Sequence, residues 1–218
     1  MQKTVNLTGR KIAAIALSAV LLVGGSVAGT MAYLTDTDDV LNTFTVGDVQ
    51  ITLDEAAYVD GKLTDGRTDV GNKYKLLPGH TYVKDPTVTV LKGSDESYVR
   101  VLVTINEQAD LDAIFAPDGL DLTAFFGELG EGWDFVGDSV NGDSRVYEFR
   151  YSTTVTALDK AVELPALFET ITIPSTVDHD DLASISDLQI KVVAQAIQAD
   201  GFGGDANKAW SNWDGENL

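Results

Sequence analysis

His80 and His179 are the only two imidazoles in this 218-residue chain, and it has no cysteine. Without thiols there is no cysteine nucleophile, disulfide framework, iron–sulfur cluster or Cys-type zinc site. No H-E-x-x-H sets two zinc ligands on one helix face, and no G-x-S-x-G raises a serine on a strand-to-helix elbow. A Ser-His-Asp triad draws its members from distant positions, so the abundant Ser, Thr and Asp leave that option open without supporting it. His80 follows the Pro78-Gly79 turn and His179 lies in an acidic run. Both read as solvated loop histidines, and no catalytic residue or cofactor is expected.

Carboxylates offer the next chemistry. Asp36-Thr37-Asp38-Asp39 and Asp178-His179-Asp180-Asp181 are dense, and Asp60, Asp65 and Asp69 line a Gly-containing stretch. Calcium takes six to eight oxygens, often several from one loop, but none of these segments has EF-hand spacing. They read as solvated acidic loops, with calcium binding as a hypothesis and no metal site assigned. Trp210 and Trp213 sit three positions apart, so one helical turn puts them on one face. Docking of a terminal segment is the preferred reading, and a sugar-stacking platform the alternative.

Charge narrows the partners. Thirty-four acidic residues against 15 basic ones give a net charge of -19, which excludes ordinary nucleic-acid binding because phosphate neutralisation needs clustered Lys and Arg. With 44% hydrophobic residues, the chain has material for a packed core. Residues 1–32 carry Lys3, Arg10 and Lys11 and no acid, then an apolar stretch from Ile12, then Thr30-Met31-Ala32 ahead of Tyr33. That is the layout of a secretory signal peptide cut after Ala32, with small residues Thr30 and Ala32 at the -3 and -1 positions. The apolar run of about 16 residues is short of the roughly 20 that span a bilayer, so no stable membrane insertion is expected after cleavage. Removing three positive charges takes the mature chain to -22 over 186 residues. The C-terminus shows neither L-P-x-T-G nor an apolar tail, so no sortase or membrane anchor is expected there.

The elements that must position these residues read as strands. Val49, Ile51 and Leu53 alternate with polar residues, as do Val88 and Val90. In Tyr98–Ile105, Val99, Val101, Val103 and Ile105 take one face and Arg100 and Thr104 the other. Val146–Thr156, Phe168–Ile173 and Leu188–Ala196 complete the set, separated by Gly-containing turns of which Asn141-Gly142 is the strongest hairpin candidate. Ala109–Gly132 breaks the pattern with apolar spacings of three and four, read as two short helices split at Pro117-Asp118-Gly119. Seven or eight short strands with polar turns predict an all-β fold, an antiparallel β-sandwich with residues 109–132 as a helical insertion. No linker divides residues 33–218, which are read as one domain.

The stretch after the expected cut carries the functional argument. In Val40–Val46, Val40, Phe44 and Val46 share one strand face, with Leu41 opposite. Residues 33–47 extended reach about 50 Å, so this N-terminal strand can join its own sheet or be lent to a neighbour as a donor strand. Val40, Leu41, Phe44 and Val46 are therefore the candidate self-assembly residues.

The chain resembles the TasA/camelysin family of exported proteins of Gram-positive bacteria. The likeness rests on Val23-Gly24-Gly25-Ser26, on Gly29–Asp36, and on Asn42-Thr43-Phe44-Thr45-Val46-Gly47 with Val49, Ile51 and Leu53. Leu77-Pro78-Gly79, Lys84–Val88, Tyr98–Ile105 and Leu188–Phe202 add weaker support through pattern. This resemblance implies a jelly-roll sandwich, cleavage by a SipW-type signal peptidase, and self-association into biofilm-matrix or cell-surface fibres in which each N-terminal strand completes the next subunit's sheet. Asp36, Asp38 and Asp39 depart from the apolar face a donor strand prefers. Either the inserted part is Val40–Val46, or the protein is a minor or non-polymerising member. A monomeric surface adhesin or carbohydrate-binding module is the alternative. Camelysin also implies a secreted metallopeptidase, for which the sequence offers no zinc-ligand set.

Overall fold

The computed structural model describes residues 35–38, 49–115, 122–185 and 188–213, all within one compact unit, Leu34–Leu218. The expected signal peptide, with Thr30, Ala32 and Tyr33, lies outside the described residues, as do Val40, Leu41, Phe44, Val46 and the Pro117-Asp118-Gly119 break.

Among the described residues strand accounts for 45% and helix for 13%, in antiparallel sheets, which makes the fold all-β. The first sheet contains β1 (Thr35–Asp38), β6 (Ser94–Ile105), β7 (Trp133–Asn141), β8 (Ser144–Tyr151), β9 (Val155–Ala157) and β12 (Ile190–Gln198). Its order is β1-β12-β6-β8-β7, with β9 on the far end of β6. The second contains β2 (Ile51–Val59), β3 (Lys62–Thr68), β5 (Thr87–Val90) and β10 (Val162–Glu163), in the order β10-β5-β2-β3. A small third sheet pairs β4 (Thr81–Val83) with β11 (Thr170–Thr172).

Period-two patterning aims the core. Ile51, Leu53, Val88 and Val90 of one sheet share a buried cluster with Val99, Val101, Val103, Phe149, Val192 and Ala194 of the other. Burying one face of each sheet against the other is what the alternation requires. Strands β6 and β12 are buried on both faces: Arg100 is 7% exposed and Gln195 0%. Alternation places Arg100 on the polar face of its strand.

The helical insertion forms where expected, as α1 (Gln108–Phe115) and α2 (Leu122–Phe126). Phe126 stacks on Phe168 at 4.4 Å between centroids. Two six-residue helices follow, α3 (His179–Ser184) and α4 (Ala206–Ser211).

Three strand expectations are corrected. Val146–Thr156 is split into β8 and β9 by residues 152–154. Within Phe168–Ile173 the strand is confined to Thr170–Thr172, and Phe168 makes only an isolated bridge to Leu129. In the β7–β8 hairpin, Asn141 pairs with Ser144, so the turn is Gly142-Asp143. Gly142 has φ 64, the first-position geometry of a type II′ turn. The expected Asn-Gly turn is thus displaced by one residue.

Candidate assembly interface

Strand β12 is the spine of the candidate site. Its register with β6 runs from Ile190↔Ile105 to Gln198↔Ser97. On its other side β1 adds antiparallel, Thr35↔Ile197, Asp36↔Ala196, Thr37↔Gln195 and Asp38↔Ala194. The segment closest to the expected processing point is therefore an added edge strand. Main-chain pairing does not depend on side-chain identity, which is how an aspartate-rich segment joins a sheet. Charge on an edge strand also discourages unspecific pairing. The expected inserting strand, Val40–Val46, lies outside the described residues; the described strand is Thr35–Asp38.

A cleft of about 850 Å³ lies between β2 and the Ile190–Val192 end of β12. Leu53, Ile171, Ile173, Ile190 and Val192 give it an aliphatic lining, while Glu55, Asn72 and Lys84 form a polar wall. An apolar hollow with a few convergent polar groups is the usual form of a recognition site.

The polar wall is built by β2 and an extended strap, residues 71–78. In the strap Asn72, Tyr74 and Leu76 are half-buried and Lys73, Lys75 and Leu77 are exposed. Its main chain is held by side chains: the Tyr82 hydroxyl donates to the Lys75 carbonyl at 2.7 Å and accepts from the Leu77 N–H at 2.8 Å. The Tyr74 hydroxyl donates to the Val83 carbonyl at 3.2 Å, and its ring lies edge-on to Tyr58 at 5.0 Å. Burial, with the nearby charge of Glu55, pushes the Tyr74 hydroxyl well above its ordinary range.

Glu55 continues the inward series Ile51, Leu53, and is 8% exposed; Lys84 is 5% exposed. Lys84 Nζ lies 2.5 Å from Glu55 Oε2. Asn72 Nδ2 donates to Glu55 Oε1 at 2.9 Å and to the Ala56 carbonyl at 2.8 Å. The Tyr58 N–H donates to Asn72 Oδ1 at 2.8 Å. Nearby, Arg67 bridges Asp54 and Asp85. Sequence reasoning passed over this cluster. Its signal was an acid at the inward register of β2, where a strand buries a charge only against a partner.

The other sequence candidates resolve into structural roles. His80 is exposed, with Nδ1 3.0 Å from the Pro78 carbonyl. His179 opens α3, and the surrounding acids cap that helix: Asp178 accepts from the Asp180 and Asp181 N–H groups, and Asp181 accepts from the Asp178 N–H. This capping box gives the Asp178 and Asp181 carboxylates a local role at the helix start. Asp60 and Gly61, with φ 51 and 73, form the two-residue turn between β2 and β3. Among the described residues no three His, Asp or Glu side chains converge as a metal-binding group, and no helix is long and apolar enough to cross a membrane. Trp210 and Trp213 are 6% and 8% exposed and close over Arg100 on the outer face of the first sheet, so the pair docks the terminal segment.

Comparison of the chain with protein-family models, curated proteins and solved structures returns no match.

Proposed function

We propose that this chain is a secreted structural subunit of extracellular biofilm-matrix or cell-surface fibres. In this reading a SipW-type peptidase removes residues 1–32, the remainder is a β-sandwich of jelly-roll type, and the N-terminal strand of one subunit is added to the sheet of the next. The observation that carries the proposal is the pairing of β1 with β12. An edge that accepts the N-terminal segment within one chain has the geometry to accept the same segment from a second copy, which is the logic of strand exchange. The adjoining cleft supplies apolar surface for side chains such as Val40, Phe44 and Val46 of an incoming strand.

The test is to purify the protein starting at Tyr33 and a second version lacking residues 33–46, and to compare them by electron microscopy and size-exclusion chromatography. Fibres from the first and folded monomers from the second are expected. Fibres that survive the deletion unchanged overturn strand donation.

A further inference from the structure

We propose that Lys84 and Asn72 join in an intramolecular isopeptide bond, formed with the help of Glu55 and released as one ammonia. The three side chains meet on the polar wall of the cleft, and one carboxylate holds both reacting groups: Oε2 is 2.5 Å from Lys84 Nζ and Oε1 is 2.9 Å from Asn72 Nδ2. Nucleophile, amide and proton carrier are thus already gathered, which removes much of the entropic barrier to a bimolecular step.

Each partner is set up for this reaction. Lys84 is 5% exposed; an amine attacks only when neutral, and a buried ammonium in contact with a carboxylate can pass its proton across that contact. The Asn72 carbonyl accepts the Tyr58 N–H at 2.8 Å, a fixed backbone donor placed where negative charge develops. Its two amide hydrogens are taken by Glu55 and the Ala56 carbonyl.

The reaction balances without an oxidant or reductant. Glu55 takes a proton from Lys84, and the Nζ lone pair attacks Asn72 Cγ while the C=O π pair moves onto Oδ1. Glu55 delivers its proton to Nδ2 and takes the second proton from Nζ. The oxyanion collapses, the Cγ–Nδ2 bond breaks, and ammonia leaves with that bond pair. Glu55 gives up its remaining proton to the departing ammonia and is again a carboxylate. In sum, an ammonium and a primary amide become a secondary amide and an ammonium ion. The ammonium ion leaves through the cleft that these residues line. The bond ties the strap to the loop before β5 and closes a covalent loop in a chain that has no cysteine.

The experiment is intact-mass spectrometry of the purified folded protein, followed by protease mapping. A mass one ammonia below that of the chain, with a branched peptide joining the Asn72 and Lys84 segments, is expected. Lys84→Arg and Asn72→Ala should each restore full mass and linear peptides. Glu55→Gln, which keeps the shape but cannot accept the proton, should slow branched-peptide formation after refolding by at least about 100-fold. Full mass in the folded wild-type protein, with Asn72 and Lys84 in separate linear peptides, overturns the proposal. So does a missing ammonia without the branched peptide, which traces the loss to an asparagine imide elsewhere. The wild-type measurement decides even where a variant fails to fold.

Discussion

The guanidinium of Arg100 lies 4.4 Å from the centroid of the Trp210 ring. It is also 5.4 Å from that of Trp213, and Arg100 Nε donates to Gln195 Oε1 at 2.7 Å. A cation sealed under two indoles gains more from their π faces than an exposed one does. Trp210 lies in α4, which is held at a second point by Arg150 donating to Asn207 Oδ1 at 2.6 Å. The C-terminal segment thus converts the outer face of β6 into a second, smaller interior.

Trp210→Ala should therefore lower stability by about 3 kcal/mol, the usual cost of emptying a buried aromatic site. Urea unfolding followed by far-UV circular dichroism checks it. A loss below about 1 kcal/mol would mean that the terminal segment rests on the sheet without supporting it.

Gly130→Ala should be among the most damaging single-atom additions in the chain. A Cβ there would stand 2.0 Å from the Ala166 carbonyl oxygen, and backbone cannot yield as a side-chain tip does. Overpacking of this kind costs roughly 3 kcal/mol. Gly142→Ala meets nothing within 4 Å but has φ +64, so it should cost about 1 kcal/mol from backbone strain alone. Melting temperatures of the two variants should fall in that order.

Alkaline pH should unfold the protein in part through Tyr147. Burial, opposed by Arg145 and reinforced by Asp112 and Asp138, pushes its hydroxyl up to about 12. A raised folded value means that the native state holds its proton where the unfolded state releases it. The stabilisation is complete below about 10, the ordinary tyrosine value, and is lost as pH rises toward 12. Across that window one such group contributes a slope of about 1.4 kcal/mol per pH unit. Urea midpoints between pH 9 and 12 should fall less steeply for Tyr147→Phe than for the wild type.

Assembly should respond to the net charge of -22 on the chain from Tyr33. Like charge opposes close approach of subunits and is screened by salt. Turbidity and electron microscopy across a pH series should show more polymer as pH falls toward 4.2 or as ionic strength rises. Polymer yield indifferent to both would remove charge as the brake.

Much of the fold is legible in the residues. Strands β2, β5, β6 and β12 alternate cleanly because one face of each meets the core, and the helical insertion shows its spacing of three and four. Strand β3 is not legible: Lys62–Thr68 has one apolar side chain, Leu63, and is held by its pairing with β2 and the Arg67 bridge. Strand β7 was hidden because Phe135 and Val136 are adjacent and a bulge between Phe135 and Gly137 shifts its register, which erases the period of two. Of the site, the pairing of Thr35–Asp38 with β12 was not legible, since alternation cannot register a segment held by main-chain bonds.

From residue types alone follow the all-β class, the strong net acidity, and the absence of thiol chemistry, because each depends on local periodicity or on counting. Tertiary structure decided what those residues do. It buried Arg100 under Trp210, turned Asp178 and Asp181 into helix caps, and brought Glu55, Asn72 and Lys84 from three separate segments onto one wall. Contacts between residues so far apart in the chain are set by sheet order and strand register, which no local pattern encodes.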